Sequence, residues 1–128
     1  MNYLNIEEVL LMHFRIMEEY HPYQSKYGIT KPDQLESAVA RPQQSAGGKD
    51  AYEDISSKAA ALTESIIGNH PFEDGNKRVG ITAGCVFMMI NGYEIIADDD
   101  GIYKAAMNAA EGKWKFEELK QWFNENTP

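Results

Sequence analysis

The segment from Asn76 to Asn91 constrains the fold of this chain more than any other stretch. Its apolar residues fall on every side of a helical wheel, and they are Val79, Ile81, Ala83, Val86, Phe87, Met88, Met89 and Ile90. A helix that is apolar all round is usually enclosed by the rest of its protein. We therefore predict a central buried helix here, which Gly92 ends.

Five other stretches show the spacing of amphipathic helices. They cover residues 6–20, about 33–40, 55–68, about 99–110 and 115–126. The first has an apolar stripe made of Ile6, Leu10, His13 and Met17, with Val9 and Ile16 alongside. A histidine on such a stripe is more often a satisfied core residue than a catalyst. Six helices without a convincing strand pattern predict an all-α fold, a compact bundle of about six helices around the central buried one.

Local signals mark several helix boundaries and connections. Asn5, with Glu8 three residues later, has the pattern of a capping box, and Asp54 is a predicted cap for the helix at 55–68. Residues 21–32 carry Pro and Gly and predict a polar loop in which His21 is solvated. Residues 41–53, which contain the pair Gly47-Gly48, predict an exposed, mobile segment that begins at Arg41.

Length, charge and cysteine content narrow the class of protein. The 128 residues fit a single domain, 1–128, that can bury a core without disulfides. The net charge of −8 argues against nucleic acid or an anionic membrane as the main partner, because phosphate contacts need clustered Lys and Arg. The single cysteine, Cys85, indicates a reducing compartment, and the start of the chain lacks the basic flank of a signal peptide. We expect a cytoplasmic protein.

The polar nonapeptide HPFEDGNKR, residues 70–78, separates two of the predicted core helices. His70-Pro71 and Asp74-Gly75 are turn signals, so the stretch predicts a loop that runs into the N-terminus of the central helix. That terminus offers unpaired backbone N–H groups and partial positive charge, which suit a phosphate.

The side chains of this loop suit the transfer of a phosphorus-centred group. An imidazole such as that of His70 can take a proton near neutral pH, and Asp74 offers an oxygen of the kind that Mg²⁺ binds. Gly75 lets backbone approach a ligand, and the Asn76 amide, Lys77 and Arg78 could bind phosphate oxygens. Taken singly, each of these residues has a plainer explanation. His70 could belong to an ordinary loop, Asp74 could cap a helix, and Lys77 and Arg78 could be solvated surface cations. Phe72 is expected to anchor the loop by burying its ring.

This nonapeptide resembles the motif H-P-F-x-[D/E]-G-N-x-R of the Fic/Doc superfamily. Further agreement lies in LNIEEVLLMH, LESAVARPQQSAGG, KAAALTESIIGNH and NGYEI, so the resemblance covers nearly the whole chain. The lysine after Asn76 and the short chain are similar to the death-on-curing (Doc) branch. The resemblance implies a compact all-α Fic fold in which the motif loop leads into the central helix.

The resemblance also implies a role for each motif position. His70 would be the catalytic base for a target hydroxyl, and Asp74 the Mg²⁺ ligand. Gly75 and Asn76 would form the phosphate-binding anion hole with neighbouring backbone, and Arg78 would bind phosphate. Phe72 would be the buried anchor. Mg²⁺ and ATP are the implied cofactor and co-substrate.

Two departures from the AMP-transferring enzymes of the superfamily bear on the reaction. Those enzymes carry Gly where this chain has Lys77, and a second arginine where it has Ile81. The resemblance to Doc therefore implies a kinase that phosphorylates Ser or Thr of a translation elongation factor, of the Tu class, within a toxin–antitoxin pair. Transfer of AMP to a protein hydroxyl is the alternative. A non-catalytic module that only docks a partner such as an antitoxin is a third possibility.

The segment 41–53 corresponds to the region where Fic folds place a flap that docks the target. An extended target segment could add its backbone there as a further strand. This expectation depends on the paired glycines, Gly47 and Gly48.

Overall fold

The computed structural model describes residues 1–20 and 28–128, so His21 and the rest of the predicted loop up to residue 27 lie outside the described residues. Six α-helices occur in the described part: α1 (Ile6–Tyr20), α2 (Pro32–Ala40), α3 (Ile55–Asn69), α4 (Asn76–Ile90), α5 (Asp99–Ala110) and α6 (Phe116–Glu125). A 3₁₀ turn at Arg41–Gln43 follows α2, and a small hairpin of β1 (Ser45–Ala46) and β2 (Lys49–Asp50) follows it. The predicted all-α fold is confirmed.

Helix α4 packs most closely against α3 and also contacts α1 and α5, while α3 contacts α2, α5 and α6 as well. The predicted central position is therefore shared by α3 and α4. Gly80 and Gly84 of α4 face α3, and a Cβ on Gly84 would overlap Thr63 and Phe123. The hydroxyl of Thr63 in turn donates to the Gly80 carbonyl at 2.9 Å. The two glycines of α4, packed against Thr63 of α3, therefore bring the two backbones together. This packing holds the loop between α3 and α4 on a rigid frame.

The predicted helix starts and the predicted stop of α4 are confirmed in atomic detail. The Asn5 side chain accepts from the Glu8 N–H at 2.8 Å, and the Glu8 carboxylate accepts from the Asn5 N–H at 3.0 Å. Asp54 accepts from the Ser57 N–H at 2.7 Å at the start of α3. Gly92 follows α4 with φ 88°, a conformation that favours glycine.

Three expectations need correction. Leu10 does not belong to the inward stripe of α1, because 36% of it is exposed while Val9 is fully buried. Met89 does not face the core, since it is 58% exposed next to the buried Met88. The segment 41–53 contains a β-hairpin of two short strands, where the local sequence signals predicted an exposed, mobile segment. Its predicted exposure is confirmed for residues 43–51.

Within residues 1–20 and 28–128, none of the helices has the length and apolar character that crossing a membrane requires. Most buried apolar residues of the described part form one cluster, to which every one of the six helices contributes. The domain boundary 1–128 stays a prediction.

Candidate active site

The loop between α3 and α4 begins at His70, which ends α3 in a left-handed conformation with φ 52° and ψ 55°. It is the one non-glycine residue with positive φ among residues 1–20 and 28–128. Its N–H donates to the Ile66 carbonyl at 3.1 Å, and Pro71 then prevents the helix from continuing. Strained conformations of this kind concentrate at functional sites. The turn leaves the His70 side chain exposed.

The middle of the loop is fastened by Phe72 and Asn76. Phe72 is fully buried, which confirms its predicted anchoring by burial. Its N–H donates to the Asn76 side-chain oxygen at 3.0 Å, and its carbonyl accepts from the Asn76 side-chain amide at 2.9 Å. The Asn76 side chain, 5% exposed, therefore closes the loop on itself. The sequence predicts that this side-chain amide binds a ligand, whereas in the structure the backbone N–H of Asn76 is the group left for an anion.

His13 of α1 packs against the loop between α3 and α4. Its ring stacks on Phe72 with centroids 3.8 Å apart, and its Nε2 lies 2.8 Å from the Asp74 carbonyl. Burial lowers the pKa of His13, although the hydrogen bond to Asp74 and the charge of that residue oppose the shift. The ring is therefore neutral at pH 7 and donates Nε2–H to the carbonyl. The predicted core position is confirmed, but its partners could not be read from the sequence.

A second backbone contact fixes the outer side of the loop. The N–H groups of Thr30 and Lys31 both donate to the Pro71 carbonyl, at 2.8 and 3.1 Å, and the Glu73 N–H donates to the Gly28 carbonyl at 3.1 Å. The segment 28–31 thus runs antiparallel to the motif loop. Nothing in the sequence indicated this pairing, because it joins residues that lie far apart along the chain.

Helix α4 begins directly after the loop and presents its N-terminus to a pocket of about 350 Å³. Gly75 precedes the helix with φ 84°, and a Cβ on it would press against Met17 and His13. The first N–H groups of a helix have no carbonyl partner within it, so they can bind an anion. The pocket lining contains six of the predicted site residues: His70, Asp74, Gly75, Asn76, Lys77 and Arg78.

The two cations beside the pocket are held by aromatic and sulfur contacts. The Arg78 guanidinium lies 3.9 Å from the ring centre of Tyr20 and 5.4 Å from that of Tyr103. The Lys77 Nζ lies 3.1 Å from the Met107 sulfur and 5.9 Å from the Tyr103 ring. Face-on stacking leaves the N–H edge of a guanidinium available to phosphate oxygens. The sequence gave no sign that these two tyrosines belong to the site.

Asp74 is the residue that could bind a magnesium ion at this site. Its Oδ1 accepts from the Gly75 N–H at 2.8 Å, and the residue lines the pocket. The described residues contain no cluster of three or more His, Cys, Asp or Glu side chains that could hold a metal ion. One carboxylate fits Mg²⁺ nonetheless, because that ion commonly takes one or two carboxylates and completes its shell with phosphate oxygens and water.

Arg41 lies outside the pocket and links the hairpin to α3. Its side chain donates to Tyr52 at 2.8 Å, to Glu64 at 2.9 Å and to Ser65 at 2.8 Å. Burial opposes the charge, yet these contacts with Tyr52 and Glu64 raise the pKa of Arg41 further. The ion pair of Arg41 with Glu64 therefore belongs to a half-buried network and not to an open surface.

Comparison with known proteins agrees with this geometry. The family model for the Fic/DOC family matches residues 3–88 of the chain. Over 66 residues the chain is 48% identical to a protein named Toxin Doc from Mycolicibacterium smegmatis (strain ATCC 700084 / mc(2)155). That match covers 52% of this chain and 51% of the relative, so the chain spans about half the length of the curated relative it matches.

Proposed function

The chain belongs to the Fic/DOC family, and from this premise we propose that it is a protein kinase that acts as the toxin of a toxin–antitoxin pair. Its donor would be ATP, and its acceptor a Ser or Thr hydroxyl of a target protein. One observation carries the proposal: His70 and Asp74 line the same pocket, at the N-terminus of α4 and beside Lys77 and Arg78.

The reaction would be an attack by the target hydroxyl oxygen on the γ-phosphorus of ATP. A new oxygen–phosphorus bond forms while the bond from that phosphorus to the β,γ-bridging oxygen breaks, and ADP leaves. The hydroxyl proton passes to His70, which is exposed and therefore within reach of a protein substrate. Transfer of this kind depends mostly on positioning and charge stabilisation, which a clamped loop can supply.

The remaining motif residues would hold the triphosphate. The backbone N–H groups at the start of α4 would bind phosphate oxygens, with Lys77 and Arg78 neutralising further charge. Asp74 would hold Mg²⁺, and a bound ion would neutralise negative charge on the phosphate oxygens.

Phosphoryl transfer is favoured over AMP transfer by the second turn of α4. Ile81 stands where AMP-transferring members carry their second arginine, and it is only 3% exposed. A buried isoleucine cannot hold terminal phosphates. Lys77 instead adds a cation one turn earlier, and it lines the same pocket as His70.

The target and the regulator belong to the same proposal. A translation elongation factor of the Tu class is the proposed substrate, and an antitoxin protein is the proposed regulator. The relative named Toxin Doc and the family match support the antitoxin for the part of the chain that aligns. The elongation factor rests on the resemblance of the motif to the Doc branch alone.

The reaction type is tested with ATP labelled at either the α or the γ phosphate. We expect γ label on a protein of a bacterial extract when Mg²⁺ is present, and loss of that label in His70→Ala and Asp74→Asn. Glu73→Gln is the matched control, because Glu73 is an exposed acid of the same loop that does not line the pocket. Transfer of α label would instead establish AMP transfer. Target binding without either label would establish a docking module.

A further inference from the structure

Gly68 lies in the last turn of α3, and neither packing nor backbone conformation accounts for it. A Cβ on Gly80 or Gly84 of α4 would come within 2.6 Å or 2.2 Å of a neighbour, whereas a Cβ on Gly68 meets no atom within 4 Å. Gly68 also lacks the positive φ that favours glycine. Glycine within a helix lowers its stability relative to alanine. The missing side chain therefore brings the fold no benefit and leaves open space.

That space belongs to a groove of about 450 Å³, which we call the glycine groove. One side is formed by Glu64, Ile67 and Gly68, which are three and four residues apart and so share one face of α3. The other side comes from the end of α5 and its connection to α6. Ile67 and Ala110 line both this groove and the motif pocket, the cavity of about 350 Å³ at the start of α4. The two cavities are therefore continuous.

The other end of the glycine groove meets the base of the β-hairpin. Glu64 accepts from Arg41 at 2.9 Å, and Arg41 donates in turn to Tyr52 on the far side of the hairpin at 2.8 Å. From Glu64 to His70 the helix rises about 9 Å, which an extended peptide spans with about three residues. The groove thus joins the exposed hairpin to the proposed catalytic base.

The groove also offers one cation that the fold does not neutralise. Glu64 is paired with Arg41, and Lys113 beside the groove is paired with Glu111 at 3.0 Å. Lys115 lines the groove, is exposed, and forms no ion pair with any of the described residues. This arrangement is complementary to an acidic side chain, although the chain as a whole carries a net charge of −8.

We propose that the glycine groove binds the segment of the acceptor protein that flanks the Ser or Thr hydroxyl. The segment lies extended over Gly68 with an acidic side chain beside Lys115, and its hydroxyl enters the motif pocket past Ile67 and Ala110. This inference rests on the proposed function and deepens it, because it makes Gly68 a residue that determines which acceptor segments fit.

The main test fills the groove with a side chain. Initial rates of transfer from γ-labelled Mg²⁺-ATP are measured against the concentration of a bacterial extract, and calorimetric titration gives the affinity for Mg²⁺-ATP. We expect Gly68→Leu to raise the apparent KM for the acceptor at least about tenfold and to leave the ATP affinity unchanged, because only the acceptor is displaced. Asn124→Leu adds the same side chain to an exposed position of α6 outside both cavities and should behave as the wild type.

A charge reversal tests the acidic side chain of the acceptor. Lys115→Glu should raise the same KM by about threefold, the scale of one exposed ion pair, and added salt should reduce the difference from the wild type. Lys104→Glu reverses an exposed lysine of α5 that lies outside the groove, and it should leave the KM unchanged. Equal KM values in the two variants would remove the acidic side chain from the proposal.

Gly68→Ala shows whether the glycine serves the fold. We expect a higher midpoint of urea unfolding, because alanine favours a helix and its Cβ has room. A lower midpoint would give Gly68 a structural reason and overturn the inference.

The possible results separate this inference from the proposed function. If the wild type transfers γ label and Gly68→Leu has the wild-type KM, the groove does not bind the acceptor while the kinase stands. If Gly68→Leu instead weakens ATP binding, or dissociates a dimer seen by sedimentation, the groove belongs to the nucleotide or to a second copy. Transfer of α label overturns the kinase, and the KM of Gly68→Leu still decides the groove. If neither label is transferred, both proposals fail.

Discussion

Single residues decide the geometry of the motif loop, and the most informative of them is one that the motif does not contain. His13 comes from α1, yet it contacts the anchor, the proposed metal ligand and the glycine of the loop. Its prediction as a core residue followed from helical spacing alone. Its role as a clamp could not be predicted, because helical spacing says which side chains face inward but not which part of the chain they meet.

Replacing His13 with phenylalanine should separate stacking from hydrogen bonding. His13→Phe keeps a flat ring against Phe72 but leaves the Asp74 carbonyl without its 2.8 Å donor. We expect the free energy of unfolding to fall by about 1–2 kcal/mol, the cost of an unpaired and partly buried carbonyl. Urea unfolding measures the change, with Leu11→Phe, on the exposed side of the same helix, as the control. An unchanged stability in His13→Phe would mean that the hydrogen bond contributes nothing.

The buried thiol of Cys85 makes a second prediction at the scale of one residue. Burial raises the pKa of Cys85 from 9.0 to about 12. Above pH 9 the unfolded thiol loses its proton while the folded thiol keeps it, so this group lowers stability as the pH rises. Between about pH 8 and about pH 10.5 the wild type should lose roughly 2 kcal/mol more than Cys85→Ala. Equal losses in the two proteins, measured by urea unfolding at both pH values, would show that the thiol ionises in the folded state.

Secondary-structure elements were predicted well wherever their signals are local. The six helices, the capping box at Asn5 and the stop at Gly92 depend on residues that are close in sequence, so they could be read directly. Which apolar side chains on each helix are buried could not be read from the sequence in this way. Leu10 and Met89 are apolar and were placed inward, but the bundle has no neighbour to cover them. The pairing of segment 28–31 with the motif loop could not be predicted either, because it joins residues that lie far apart along the chain.

The cap of α3 gives a prediction at the scale of an element. Asp54→Ala removes the acceptor for the Ser57 N–H and should lower the free energy of unfolding by about 1 kcal/mol. Asp54→Asn keeps an oxygen acceptor and should lose much less, although it gives up the 3.8 Å ion pair with Lys120. Chemical denaturation of the two variants measures the free energy of unfolding and so compares the contribution of the cap hydrogen bond with that of the ion pair. A loss in Asp54→Asn as large as that in Asp54→Ala would show that the charge dominates, because both variants remove the charge and only Asp54→Ala removes the acceptor.

The whole molecule combines a rigid site with one projecting feature, the hairpin of β1 and β2. Two side chains tie the base of the hairpin to α3. Arg41 donates to Glu64 of α3. The buried Lys58 of α3 donates to the Pro42 carbonyl at 3.0 Å and to Asp50 at 3.3 Å. The tip is exposed. Exposed strands tied to a rigid frame are suited to pairing with an extended peptide. These features support the expectation, drawn from the resemblance to Fic folds, that this segment docks the target protein, and we propose the hairpin as the docking element.

The turn of the hairpin allows that proposal to be tested without touching the pocket. Gly47 and Gly48 have φ values of 61° and 81°, the pattern of a type I′ turn, and a Cβ on either meets no atom within 4 Å. Replacing both with valine should therefore disrupt the turn through backbone strain alone. Gly47→Asn should preserve the turn, because Asn-Gly is a preferred type I′ pair.

We expect the double valine variant to lose at least about tenfold in the rate of target labelling while its affinity for ATP stays unchanged, since a misplaced acceptor costs turnover and not nucleotide binding. Wild-type labelling rates in the double valine variant would exclude the hairpin as the docking element, whereas a matching loss of ATP affinity would show that the hairpin acts on the pocket itself.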